Sequence, residues 1–310
     1  TPTRSSAASD VYKRQVTDFI TAADSIEFKG GTLHVKETGV SIATSNGAVT
    51  INSIDGDHDE TVTIDAGSGA VSVGRIGGTN ESGEGIKSVA ITSTHATGIT
   101  LTGNITTSDT ADSDVTLTGK VVINGDVDID TSAGTDGDIT FTSTIVGADG
   151  TNDDLILDTG GGALTFHATT TIGAGDSPLS TLDIAQGGGT VALTIPQIGD
   201  ATDDGVSGVV RIGTSSSTSV TMRDQTYRFG TGNVTITADT TGTIFSTAGN
   251  STVDLAGGNF LITGAAKVSN GTLDINSAGG DIEITGAIVG HTGGDAVSYT
   301  HLRAHETIDD

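Results

Sequence analysis

The sequence has no cysteine and no tryptophan, and among its 310 residues there are one methionine and three prolines. The lack of cysteine excludes a disulfide scaffold and a thiolate metal site. Aromatic residues make up 3% and hydrophobic residues 34%, too few large side chains for one conventional core in a chain this long. No apolar run approaches the roughly 18–20 residues that cross a bilayer as a helix. No 3.6-residue apolar periodicity of useful length occurs either, which argues against helices. Basic residues are scarce, 13 against 39 acidic, and the net charge is −26. A surface of that sign repels nucleic acid and anionic membranes.

What the chain does have is 46 glycines and many short runs in which Val, Ile or Leu alternate with Thr, Ser or Asp. Such alternation is the signature of half-buried strands. Pairs of inward residues are expected at Val62/Ile64, Val71/Val73, Leu155/Leu157, Leu164/Phe166, Leu182/Ile184, Val234/Ile236 and Leu273/Ile275. Thr63, Ser72, Thr165 and Asp183 then face outward. Gly, Asn, Asp and Ser fill the gaps and permit sharp corners.

The two ends do not share this pattern. The strings SDVYKRQ and VSYTHLRAHET resemble translated sequencing-adapter sequence, so residues 1–15 and 297–310 are expected to be non-native tails. Residues 16–296 are then one repeat region, cut at both ends. The ends carry four basic and four acidic residues, so removing them leaves the net charge unchanged.

The repeat itself is internal. Thr61–Val73 matches Asp154–Phe166 at an offset of 93, with Asp65, Gly67, Gly69 and Ala70 aligned to Asp158, Gly160, Gly162 and Ala163. Both copies continue to an Ile-Gly pair, Ile76-Gly77 and Ile172-Gly173. The segments 137–147 and 280–290 are identical at seven of eleven positions. A strand with two inward residues cannot form a core alone. Stacked turns bury a continuous one and satisfy each strand's backbone groups. The expected fold is all-β: a right-handed parallel β-helix, or β-solenoid, of roughly twelve coils and about 60 Å in length. On this reading the 93-residue unit makes roughly four coils of roughly 20–25 residues.

The order strand, Asp-x-Gly-x-Gly-Ala, strand, Ile-Gly, then Ser177-Pro178-Leu179-Ser180-Thr181-Leu182 resembles the β-strand repeats of filamentous-haemagglutinin-type surface proteins. The resemblance covers roughly residues 30–295. It implies a segment of a very large secreted or cell-surface bacterial protein, an adhesin or exoprotein, with partners among host- or matrix-surface glycans or proteins. The leading expectation is a structural segment without catalysis and with no cofactor beyond weakly bound calcium. The secretion domain typical of that group is absent from this sequence. Open β edges at a cut solenoid also predict end-to-end or edge association.

Three chemistries remain to be weighed. Asp55, Asp57 and Asp59 alternate as in a calcium loop, but Glu60 and Ala66 stand where that loop needs Gly and Glu, so they are weak calcium candidates beside an acidic solvated loop. Asp126, Asp128 and Asp130 form a second, outward-facing acidic row. A polysaccharide-degrading β-helix enzyme needs aromatics and basic residues. The single cluster of both is Arg223, Tyr227 and Arg228, and no catalytic pair can be assigned among so many carboxylates. The histidines outside the ends (34, 58, 95, 167 and 291) read as surface or corner residues. Thr-x-Thr runs at 61/63, 100/102, 116/118, 140/142/144 and 235/237 could order ice-like water on a flat face, beside the plainer reading of good outward residues on exposed strands. Their uneven spacing predicts that they do not align from rung to rung.

Overall fold

The structure is a computed structural model. It describes residues 14–300 apart from 17–18, 23, 58, 79–84, 109, 111, 134–136, 150–151, 176, 187–191, 224, 240–241, 246–248, 269–270 and 291–295. Most of the expected N-terminal tail and residues 301–310 lie outside the described residues.

Every regular element among the described residues is a short strand, and every pairing between them is parallel. One turn shows the pattern. Ile99–Leu101, Ile105–Thr106 and Val115–Thr118 form three sides, and Val121–Ile123 then begins the next turn by pairing with Ile99–Leu101. The chain is thus a three-sided β-solenoid. Its longest ladder runs in register through Arg14, Leu33, Ile54, Ile76, Ile105, Ile129, Leu157, Ile184, Ile212, Ile236, Ile262 and Ile284. At about 4.8 Å per step this side is roughly 50 Å long.

From Ile54 to Ile262 each of these inward residues is 0% exposed. The pairs named from the alternation are all buried, and Thr63 and Thr165 are exposed between them. Burial of each such side chain contributes about 1.5–3 kcal/mol, so the narrow core is the main source of stability. Within it Phe141 and Phe166 stack on successive turns, with ring centroids 5.7 Å apart.

The corners explain the Asp-x-Gly motif. Asp65 and Asp130 end strands, Asp158 precedes a register shift near the end of the strand Asp154–Gly160, and each carboxylate accepts the backbone N–H two residues on, from Gly67, Ser132 and Gly160, at 2.9 Å. Asn276 does the same for Ala278 at 3.1 Å. The residue between is small and fully buried: Ala66, Thr131, Thr159 or Ser277. Where it carries a hydroxyl, that group donates to a glycine carbonyl across the corner, as Thr159 does to Gly162 at 2.9 Å. A second set of Asx residues bridges turns. Asp114 accepts from the Asp138 N–H, Asp138 from Ala163, Asn233 from Asn259 and Asn259 from Asp281, at 2.7–3.1 Å. These links satisfy backbone donors that the strands leave over at each bend.

Four expectations need correction. First, the 93-residue repeat is not a whole number of turns. Thr61–Asp65 lies in the seven-stranded sheet of one side, whereas its match Asp154–Asp158 lies in the long ladder of another. The segments 139–141 and 282–284 are likewise on different sides. The unit that repeats is therefore one side with its corner. Second, two of the Thr-x-Thr segments do align, Thr116 lying in register with Thr140, whereas Thr100 and Thr235 lie on other sides; turns vary in length at their corners while the strand register is kept. The step from Val49 to Val71 is 22 residues and that from Val71 to Ile99 is 28, yet both pairs are in register. Third, His34 is 5% exposed and not a surface residue. Fourth, Glu60 is no part of a solvated loop. It starts its strand facing inward and is 0% exposed.

Candidate functional site

The two places singled out by sequence can now be built from their neighbours. Asp55 is the penultimate residue of the strand Val49–Gly56 and sits in register with His34, one turn below. It is 7% exposed, and its carboxylate accepts the Gly56 N–H at 3.0 Å. Asp57 faces two basic groups of that lower turn. His34 Nε2 lies 2.5 Å from Asp57 Oδ1, and Lys36 Nζ lies 2.9 Å from Oδ2. Lys36 holds the Asp57 carboxyl below the usual carboxylate range, and His34 adds to that effect against the opposing cost of burial. Asp59 has φ 51° and turns elsewhere, accepting the hydroxyls of Ser108 at 2.8 Å and Thr110 at 3.3 Å.

The three carboxylates therefore serve three separate sets of partners. Among the described residues no group of three or more His, Asp or Glu side chains is arranged to hold a metal. His58 lies outside the described residues. The partners of Asp57 are more than 20 residues away in sequence, and nothing in the local spacing points to them.

The second place is the Arg–Tyr cluster. Tyr227 is 0% exposed, with its hydroxyl 3.4 Å from the Ile195 carbonyl. It belongs to the core together with Met222 and Phe229 and offers no stacking face to a sugar. Arg228 points outward, and its guanidinium donates to the Ala201 carbonyl at 2.6 Å. Asp254 stacks on Arg228 in the next turn, and Asn276 on Asp254 in the one after. Together with Asp204, Phe229, Leu255 and Ala256 these residues line a cleft of about 130 Å³. That is well below the roughly 300 Å³ at which small-molecule pockets begin.

Two carboxyls beside the cleft are shifted in opposite directions. Burial raises Asp204, assisted by Asp203 and Asp254 and opposed by Arg228. Asp200 is held well below the usual range, because its oxygens accept N–H bonds from Thr202, Asp203 and Gly175 at 2.8–3.0 Å. The Asp200 bonds close the loop on itself and tie it to the turn below. That is corner chemistry of the same kind as at Asp65 and Asp158.

The row Asp126, Asp128 and Asp130 faces outward as expected, on a strand whose Val127 and Ile129 are buried. Asp128 is half-buried between turns. Burial raises its carboxyl, and the charges of Asp130 and Asp158 raise it further.

No family model, no curated protein and no solved structure matches the chain.

Proposed function

We propose that the chain is a non-catalytic shaft segment of a large secreted or cell-surface protein of the filamentous-haemagglutinin type. Its sides would meet host- or matrix-surface glycans or proteins. The observation that carries this reading is the use made of the carboxylates. Asp65, Asp130 and Asp158, which could have done chemistry, each accept a backbone N–H at a corner. A carboxylate held in this way is a joint in a rod. The net charge of −26 favours partners other than nucleic acid or anionic lipid. No helix among the described residues is long and apolar enough to cross a membrane.

The test is to pass the purified chain over panels of immobilised glycans and matrix proteins and to assay soluble polysaccharides for new reducing ends. Saturable binding without new reducing ends is expected. Release of reducing ends would replace this reading with that of a polysaccharide-degrading enzyme.

A further inference from the structure

One side of the solenoid carries a column of six outward residues, four of them threonine. Ser41 lies in register with Thr63, Thr63 with Ala90, Ala90 with Thr116, Thr116 with Thr140, and Thr140 with Thr165. A second column on the same face joins Asp65 to Thr92 and Thr92 to Thr118. Thr142 follows directly after the strand Ile139–Phe141, and its hydroxyl accepts the Gly119 N–H at 3.1 Å. All of these residues are exposed or half-exposed. The inward residues between them, Val89, Ile91, Val115, Leu117, Ile139 and Phe141, are 0–1% exposed and hold the face in place. From Ser88 to Phe166 the pairings show no register shift.

The chemistry of the first column departs from that of the long ladder on the neighbouring side. In a chain with a net charge of −26, that column holds no charged residue. On the neighbouring side, central outward positions of successive turns are Asp128, Ile156, Asp183 and Arg211. Each threonine offers one methyl and one hydroxyl group. A methyl imposes order on adjacent water, and a hydroxyl anchors that water by hydrogen bonds. The sheet fixes these groups about 4.8 Å apart between turns and about 6.6 Å apart along a strand. Those two repeats lie close to the oxygen spacings on faces of hexagonal ice. The array spans about 24 Å, and the fold orders it in advance, so binding to a crystalline surface costs little further entropy.

We propose that this threonine face binds ice. The inference goes beyond the shaft reading and does not depend on it. The test uses the full chain. Ice-crystal shape and thermal hysteresis are recorded for the unaltered protein, for Thr116→Tyr and Thr140→Tyr on the face, and for Thr235→Tyr on the neighbouring side. Circular dichroism and melting check that each variant is folded. The unaltered chain and Thr235→Tyr are expected to facet ice and to show hysteresis, and the two face variants to lose it. Thr140→Ser, which removes only a methyl group, covers the case of a tyrosine variant that does not fold. It is expected to weaken hysteresis without a change of fold.

Absence of faceting and hysteresis in the unaltered chain would overturn the proposal. Equal losses in Thr140→Tyr and Thr235→Tyr would do the same. So would a dimer, seen by sedimentation, that Thr140→Tyr dissolves while no ice effect is present.

Discussion

At the scale of single residues, the Ile-Gly pairs show why a repeat of low complexity is still specific. Ile76 and Ile172 are fully buried, and the glycines after them turn the chain with φ of 69° and 67°. A Cβ on Gly77 would lie 2.1 Å from the Thr106 carbonyl oxygen of the next turn. Gly77→Ala therefore meets both a left-handed backbone and a backbone atom that cannot move without opening the ladder. Destabilisation by about 2 kcal/mol or more is expected. Gly30→Ala, where nothing lies within 4 Å of the added atom, should stay within about 0.5 kcal/mol of the unaltered chain. Urea titrations of the two variants check the contrast, and equal effects would contradict it.

Asp128 makes a residue-scale prediction with a sign. Its carboxyl is raised above the ordinary 3.8, first by burial and then by Asp130 and Asp158. Between 3.8 and the raised value the folded chain holds more protons than the unfolded one, so stability falls as pH rises through that window. Above the window the ionised group opposes folding. Asp128→Asn should then stabilise the chain at neutral pH, by roughly 0.5 kcal/mol given that the group is half-exposed. It should also remove part of the loss of stability on raising the pH through the window. Melting curves across that range decide it; an Asn variant less stable than the parent at pH 7 would reject the account.

At the scale of the element, the strands and their inward faces were legible in the sequence, and the register was not. Period-2 alternation identifies pairs such as Leu182/Ile184 because a two-residue inward face has no other way to be buried. Register depends on where corners add residues. The 28-residue step from Val71 to Ile99 and the 22-residue step from Ile99 to Val121 leave the strands in line, because the extra chain sits outside the ladder. Longer loops cost free energy only logarithmically. Uneven spacing in sequence therefore said nothing against alignment in space, and the threonine column became visible only through the pairings. The same blindness hid the corner at Asp57, whose partners His34 and Lys36 come from the turn below. Tyr227 was misleading for a different reason. A lone tyrosine beside arginines suggests a binding surface, but its position in an alternating strand places it inward.

At the scale of the whole molecule, the question is how a rod with a net charge of −26 holds together. In places like charges sit one rung apart, at about 4.8 Å. Asp130 stacks directly on Asp158, for example. Part of this repulsion is offset locally. Corner carboxylates accept backbone N–H groups, and a few face cations, as Asp57 does with Lys36 and Asp183 with Arg211 at 3.4 Å. With 13 basic residues against 39 acidic ones, local pairing cannot neutralise the rest. The remainder acts over distances set by the salt. The screening length is about 30 Å at 0.01 M, which spans most of the rod, and about 8 Å at 0.15 M, less than two rungs. Adding sodium chloride over that range should raise the melting temperature steadily, with a smaller further gain at higher concentration. Thermal melts by circular dichroism measure this directly. A melting temperature independent of salt would mean that the corner hydrogen bonds and the few ion pairs already compensate the charge, and that the acidic sides place no strain on the stacked turns.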